Sequence, residues 1–141
     1  MKNNPLLLFL LTLLPATLLA QTITGEWETY DDTTQEKKAL IEIYETNGRY
    51  FAKIVKSYIS DPKATCDNCK GAKKDKPIAG LVIIENLTED GDEFNGGTIM
   101  DPENGKTYKC YIELLDDGKL KVRGYLGISL LGRTQYWRRK V

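Results

Sequence analysis

The sequence predicts an all-β protein, a small antiparallel up-and-down β-barrel of about eight strands with one long cysteine-containing loop. Two observations support this prediction. Apolar and polar residues alternate with a period of two along several runs, which is the pattern of a sheet with one face in water. Turn dipeptides that tolerate positive φ angles separate many of these runs, namely Asn47-Gly48, Asp90-Gly91, Asn104-Gly105 and Asp117-Gly118. Closing such a meander into a barrel removes its exposed edges.

Eight runs of residues are predicted as strands. In chain order they are TGEWETY, ALIEIYE, RYFAKIVKSY, IAGLVIIENL, DEFNGGTIM, KTYKCYIELL, KLKVRGYLGI and RTQYWRRKV. The fourth is apolar on both faces, but its β-branched residues and short length favour a strand over a helix. In the sixth and seventh runs, the residues expected on the apolar face are Tyr108, Cys110, Ile112 and Leu114, and Leu120, Val122, Gly124, Leu126 and Ile128.

The first 20 residues are predicted to be a secretory signal peptide. One Lys precedes an apolar run that is too short to span a bilayer comfortably, and small residues lead up to Ala20. An uncleaved anchor is the alternative. Because Gln21 and not Cys follows the expected cleavage site, no lipoprotein anchor is predicted there. We therefore expect an exported protein whose single barrel domain is residues 21–141, not membrane-spanning after cleavage.

Composition excludes several functions. The chain has 20 basic and 20 acidic residues, so a nucleic-acid or anionic-membrane partner is not expected. The basic cluster KGAKKDK, residues 70–76, is predicted to be a solvated loop. The chain has no His, which removes the usual general base and the familiar Ser-His and Cys-His nucleophiles. Neither an enzymatic activity nor a cofactor is predicted.

The three cysteines, Cys66, Cys69 and Cys110, allow several interpretations. A redox-active pair would need a helix N-terminus, and the loop around Cys66 lacks that pattern. Zinc would need four ligands, so Asp67 or Asp75 would have to complete the set, and no metal site is predicted. A disulfide in an oxidising compartment is preferred, and three connectivities are open. A bridge that involves Cys110 is slightly favoured because it closes a larger loop.

An eight-stranded barrel can be solid or can enclose a ligand. Inward-facing small residues would leave a cavity, and the candidates are Ala52, Gly80, Gly96 and Gly124. Inward-facing Leu126, Ile112 and Val122 would fill it. The candidate ligand-binding residues are Tyr50, Tyr108, Tyr125 and Arg133, because a few inward polar groups suffice to orient a ligand.

Two long stretches resemble the exported bacterial family called "domain of unknown function 2147". They are GGTIMDPENGKTYKC, residues 96–110, and LKVRGYLGISLLGRTQYW, residues 120–137. The stretches GEWETYD and CDNCKGAKKDKPIAGLVI fit the family as well, so the resemblance covers nearly all of residues 21–141. It implies a lipocalin-like barrel and a location in the periplasm of a diderm bacterium, or secretion. It implies no catalytic residues.

A looser similarity concerns barrel closure. Gly25-x-Trp27 resembles the Gly-x-Trp start of lipocalins, in which the Trp packs beneath a basic side chain of the last strand. Arg138 or Arg139 would take that position here, as a cation–π contact.

Three functional hypotheses follow. The favoured one is a binding protein for a small apolar or amphipathic ligand. The alternative is an envelope structural or protein-interaction module with a filled core, whose partner is another envelope protein. A membrane-spanning barrel would alternate in the same way, but the sequence shows no clear paired aromatic girdles.

Overall fold

The structure, a computed structural model, describes residues 22–128 and 130–141. Eight strands form one closed antiparallel barrel in which each strand pairs with the next and β8 pairs with β1. The strands are β1 Gly25–Tyr30, β2 Lys37–Thr46, β3 Arg49–Ser57, β4 Val82–Asp90, β5 Glu93–Asp101, β6 Lys106–Leu114, β7 Leu120–Tyr125 and β8 Gly132–Arg139. The predicted fold class is confirmed. The predicted signal peptide, residues 1–20, lies outside the described residues.

Tight turns connect strands at the end of the barrel that also holds the two chain termini of the described fold. Asn47 and Gly48 have φ angles of 53° and 77°, as a type I′ hairpin requires. The β4–β5 and β6–β7 turns lie at the same end, which we call the closed end. At the opposite, open end lie the 31–36 loop, the 102–105 turn, the β7–β8 loop and the long loop of residues 58–81.

The closed end is filled by apolar side chains around Trp27. Trp27 is fully buried, and its Nε1 donates a hydrogen bond to the Ile23 carbonyl oxygen at 2.8 Å. The Arg139 guanidinium lies over the indole ring, with Cζ 4.2 Å from a ring centroid, whereas Arg138 lies over Tyr30. Arg139 also donates to the Thr22 and Thr24 carbonyl oxygens at 2.6 and 3.1 Å. Of the two candidate arginines, Arg139 is the one that lies over Trp27, and its role in barrel closure stays a prediction.

The inward faces of β6 and β7 follow the predicted alternation until β7 ends. Ile112, Leu120 and Val122 are buried. The prediction that the alternation continues through Leu126 and Ile128 is wrong. The strand stops at Tyr125 because Gly127 adopts a φ of 64° and turns the chain towards β8. Leu126 and Ile128 consequently lie in the β7–β8 loop.

Candidate functional site

A cavity of about 840 Å³ opens at the open end of the barrel. Its volume lies within the range of small-molecule sites, roughly 300–1,000 Å³. The barrel therefore combines a packed closed end with space for a ligand at the open end.

The lower part of the cavity is apolar. Ile41, Ile54, Val122 and Trp137 line it from four different strands. Gly124 also lines the cavity, and a Cβ placed there would lie 3.1 Å from the Ile99 side chain. A side chain at this position would press against Ile99 and come within 3.6 Å of Tyr108 Cβ, so Gly124 is a close-packed position in the cavity wall.

The other small residues named from the sequence have different positions. Ala52 is buried among the barrel's core residues, towards the closed end. Gly80 and Gly96 are exposed and have φ angles of 90° and 78°. These two glycines allow the backbone to adopt positive φ angles, and they do not enlarge the cavity.

Charged side chains lie at the rim. Lys38 Nζ is 3.2 Å from Glu103 Oε1, which joins β2 to the 102–105 turn. Arg133 donates through Nε and Nη2 to Asp32 Oδ2 at 2.8 and 2.6 Å, which joins β8 to the 31–36 loop. Because the Arg133 and Asp32 side chains are about half exposed, this pair orients the rim more than it stabilises the fold.

The four candidate ligand-binding residues do not form one site. Tyr108 and Arg133 line the cavity. Tyr50 packs edge-on against Phe94, and Tyr125 lies on the outer face against Tyr111, with ring centroids 4.8 and 6.1 Å apart. A ligand-binding role for Tyr108 and Arg133 stays a prediction.

Sequence reasoning missed several lining residues. They are Lys38, Met100, Trp137 and Gln135, whose Oε1 accepts a hydrogen bond from Trp137 Nε1 at 3.2 Å. Inward positions on β2 and β8 indicated some of these residues. The sequence carried no signal for where the barrel stops being filled, because that depends on the size of facing side chains from other strands.

The disulfide differs from the favoured prediction. Cys66 and Cys69 are bonded to each other, with Cα atoms 5.3 Å apart, and Cys110 is a free, buried cysteine. Cys110 faces inward from β6, where its neighbours across the sheet are Gly97 and Gly124. The bridge to Cys110 was therefore wrong, because Cys110 fills space between two glycines inside the barrel while Cys66 and Cys69 meet within the long loop.

Burial determines the chemistry of the free thiol. It raises the pKa of Cys110 from 9.0 to about 12. The thiol therefore stays protonated near neutral pH, and a nucleophilic role for Cys110 is not supported.

The long loop rests on the 102–105 turn. Asn68 Nδ2 donates to the Glu103 carbonyl oxygen at 2.8 Å, and Cys66 Sγ lies 3.8 Å from the Pro102 carbonyl oxygen. Gly105 has a φ of 71°, and a Cβ there would overlap the Asn68 carbonyl group. The two sequence stretches CDNC and DPENG, far apart in the chain, thus form one unit beside the cavity.

An eight-stranded antiparallel barrel that is closed at one end and opens on a cavity at the other has the architecture of a lipocalin. A solved structure of protein HP1028 from the human pathogen Helicobacter pylori, described as belonging to the lipocalin family, is similar to this chain. Its TM-score is 0.76 at 18% sequence identity, and the match covers 86% of this chain and 85% of that one. At this identity the similarity concerns the fold alone.

The family described as "Uncharacterized protein conserved in bacteria (DUF2147)" matches residues 25–139, and the chain belongs to that family. This confirms the family resemblance seen in the sequence. A comparison with curated proteins finds no match. Within the part of the chain that the structure describes, no helix is long and apolar enough to cross a membrane.

Proposed function

We propose that this chain is an exported binding protein that holds a small apolar or amphipathic molecule in the barrel cavity. The observation that carries the proposal is the cavity of about 840 Å³ with an apolar floor and a charged rim. Binding there removes apolar ligand surface from water, which contributes about 25 cal/mol per Å². The rim side chains then face whatever polar group the ligand carries.

The proposed location is the periplasm of a diderm bacterium, or the extracellular medium. The predicted signal peptide and the Cys66–Cys69 disulfide of the long loop support this, because disulfides persist in oxidising compartments. We propose no catalytic role, since the chain has no His and the inward Cys110 thiol is protonated.

A cavity-filling variant tests the proposal. Ala39 is half-buried and lines the cavity, so Ala39→Phe places an aromatic ring in the ligand space. We expect saturable binding of the neutral apolar dye N-phenyl-1-naphthylamine to the wild type and at least about tenfold weaker binding to the variant, the effect of losing roughly 1.4 kcal/mol. Ala79→Phe, in an exposed part of the long loop, is the matched control and should bind as the wild type does.

Absence of saturable dye binding to the wild type, or equal binding to both variants, would contradict the proposal. Native mass spectrometry of protein isolated from its own periplasm provides an independent measurement. A non-covalently bound small molecule of constant mass is expected, and protein free of any such mass would count against the proposal.

One observation favours the second candidate, an interaction module. Apolar side chains of the β7–β8 loop are exposed beside the cavity: Leu126 56%, Ile128 61%, Leu130 83% and Leu131 65%. Clustered exposed apolar side chains are typical of protein-interaction sites. A photo-crosslinking residue in place of Leu130 should then capture one envelope protein. The same photo-crosslinking residue in place of Lys109, on the barrel wall, should not capture it. Equal capture at both positions would remove this candidate.

A further inference from the structure

A second cavity of about 730 Å³ lies beside the first, between the long loop and the start of β6. Three lysines line it, Lys70, Lys73 and Lys106, and we call it the lysine groove. None of the described residues that line the groove is acidic. In a chain with equal numbers of acidic and basic residues, this is a local concentration of positive charge.

Within the described part of the chain, two of the three lysine side chains have no carboxylate partner. Lys73 Nζ is 2.9 Å from Glu85 Oε2, so its charge is largely neutralised. Lys70 and Lys106 make no ion pair with any residue among 22–128 and 130–141. The groove therefore carries an excess of about two positive charges, which favours an anion.

Contact between the long loop and the β5–β6 turn brings these two lysines together. Cys69 and Gly105 directly precede Lys70 and Lys106 in the chain, and a Cβ on Gly105 would lie 3.4 Å from the Cys69 backbone nitrogen. The disulfide keeps Cys69 buried, with Sγ 3.7 Å from Met100 Sδ. The two lysines thus come from segments far apart in sequence that meet at a fixed point.

The lysine groove adjoins the barrel cavity, with which it shares lining residues. Met100, Tyr108 and Leu126 line both spaces. The Tyr108 hydroxyl accepts a hydrogen bond from Asn104 Nδ2 at 3.3 Å, which positions the phenol at this boundary. One extended molecule can therefore have an apolar part in the barrel and a charged end in the groove.

We propose that the ligand is an amphipathic anion: a single alkyl or acyl chain lies in the barrel cavity, and its carboxylate or phosphate head lies between Lys70 and Lys106. This inference rests on the proposed binding function and names the chemical class of its ligand. Ammonium groups bind such heads as point charges, so carboxylates and phosphates are both accommodated.

The experiment compares three ligands with the same twelve-carbon chain in displacement of N-phenyl-1-naphthylamine from the mature protein. They are dodecanoate and dodecyl phosphate, each below its micelle concentration, and dodecanol below its solubility limit. The measured quantity is the ratio of the dodecanol Kd to the Kd of each anion. Lys70→Gln/Lys106→Gln should lower this ratio by about five- to tenfold, since each exposed charge pair contributes up to about 1 kcal/mol.

Dodecanol should bind equally to the wild type and to this variant, because the variant leaves the apolar cavity intact. The matched control, Lys63→Gln/Lys109→Gln, removes two exposed lysines that line neither cavity, and it should retain the wild-type ratio. Thermal melts of both variants establish that they are folded. The stronger of the two anions identifies the head group.

Three results would overturn the inference. If the ratio of Kd values is the same in the wild type and in Lys70→Gln/Lys106→Gln, the head-group site is refuted while the proposed binding function stands. If inorganic phosphate alone displaces the dye, the site binds free anions and not an amphiphile. Failure of the wild type to bind the dye removes the binding function and the inference together.

Discussion

Reduction of the Cys66–Cys69 disulfide should lower the free energy of unfolding of the barrel. The size of this loss depends on the small ring that the disulfide closes. The two cysteines are separated by 3 positions. In the chain-entropy treatment, a ring of this size restricts the unfolded chain by about 2 kcal/mol, whereas a bridge from Cys66 to Cys110, closing about 45 residues, would contribute about 4 kcal/mol. The magnitude of the loss therefore distinguishes the two pairings.

The assay is thermal unfolding with and without a phosphine reductant. A domain of this size has an unfolding entropy of about 250 cal/mol/K, so a loss of about 2 kcal/mol lowers Tm by about 8 °C. Cys66→Ala/Cys69→Ala should melt at one temperature in both conditions. Cys110→Ala should keep the sensitivity to reductant, because it removes a buried side chain and no disulfide.

Two results would refute the reasoning. If Cys110→Ala abolished the effect of the reductant, Cys110 would have to be bonded. If the shift in Tm were near 16 °C, the bond would have to close the larger loop. Peptide mapping under non-reducing conditions identifies the linkage directly, and the expected product joins Cys66 to Cys69.

Four further predictions concern three single residues. Gly105→Ala should destabilise the fold by at least about 1 kcal/mol in chemical unfolding, because the residue has a φ of 71° and the new methyl group would overlap the long loop. Arg139→Ala should cost about 1–2 kcal/mol through loss of the contact with Trp27 and of two hydrogen bonds, and more than Arg138→Ala. The thiol of Cys110 should resist alkylation in the folded protein at pH 8, and rapid labelling would contradict its burial. Because the pKa of Cys110 is raised to about 12, the protonated thiol stabilises the folded state below pH 9, and this contribution should be lost between pH 9 and 12. The free energy of unfolding of the wild type should therefore fall more steeply over this pH range than that of Cys110→Ala.

The fold was predictable because its signals are local. Alternation along a strand and an Asn-Gly or Asp-Gly turn each depend on neighbouring residues, and Asn47-Gly48 forms the hairpin that those two residues predict. The seventh strand was predicted too long for the same reason. Leu126 and Ile128 continue the alternation, yet they lie in a loop, and alternation contains no information about where a partner strand ends.

The candidate site was only partly predictable. Tyr108 and Arg133 were named from the sequence and line the cavity, whereas Tyr125 faces outward because of its register on β7. The lysine cluster was interpreted as a solvated loop, and Lys106 was not connected with it. Their proximity depends on contact between the long loop and the 102–105 turn, which no local pattern encodes.

The amino-acid sequence by itself determined a barrel of about eight antiparallel strands, because strand periodicity and turn chemistry act over a few residues. It also indicated the bacterial family, through the two long stretches, residues 96–110 and 120–137, that resemble it. Only the tertiary structure decided the cysteine pairing, the cavity at the open end of the barrel and the position of Lys70 and Lys106 along one groove. Each of these depends on distances between segments that are remote in the chain, and such distances are set when side chains from all eight strands pack together.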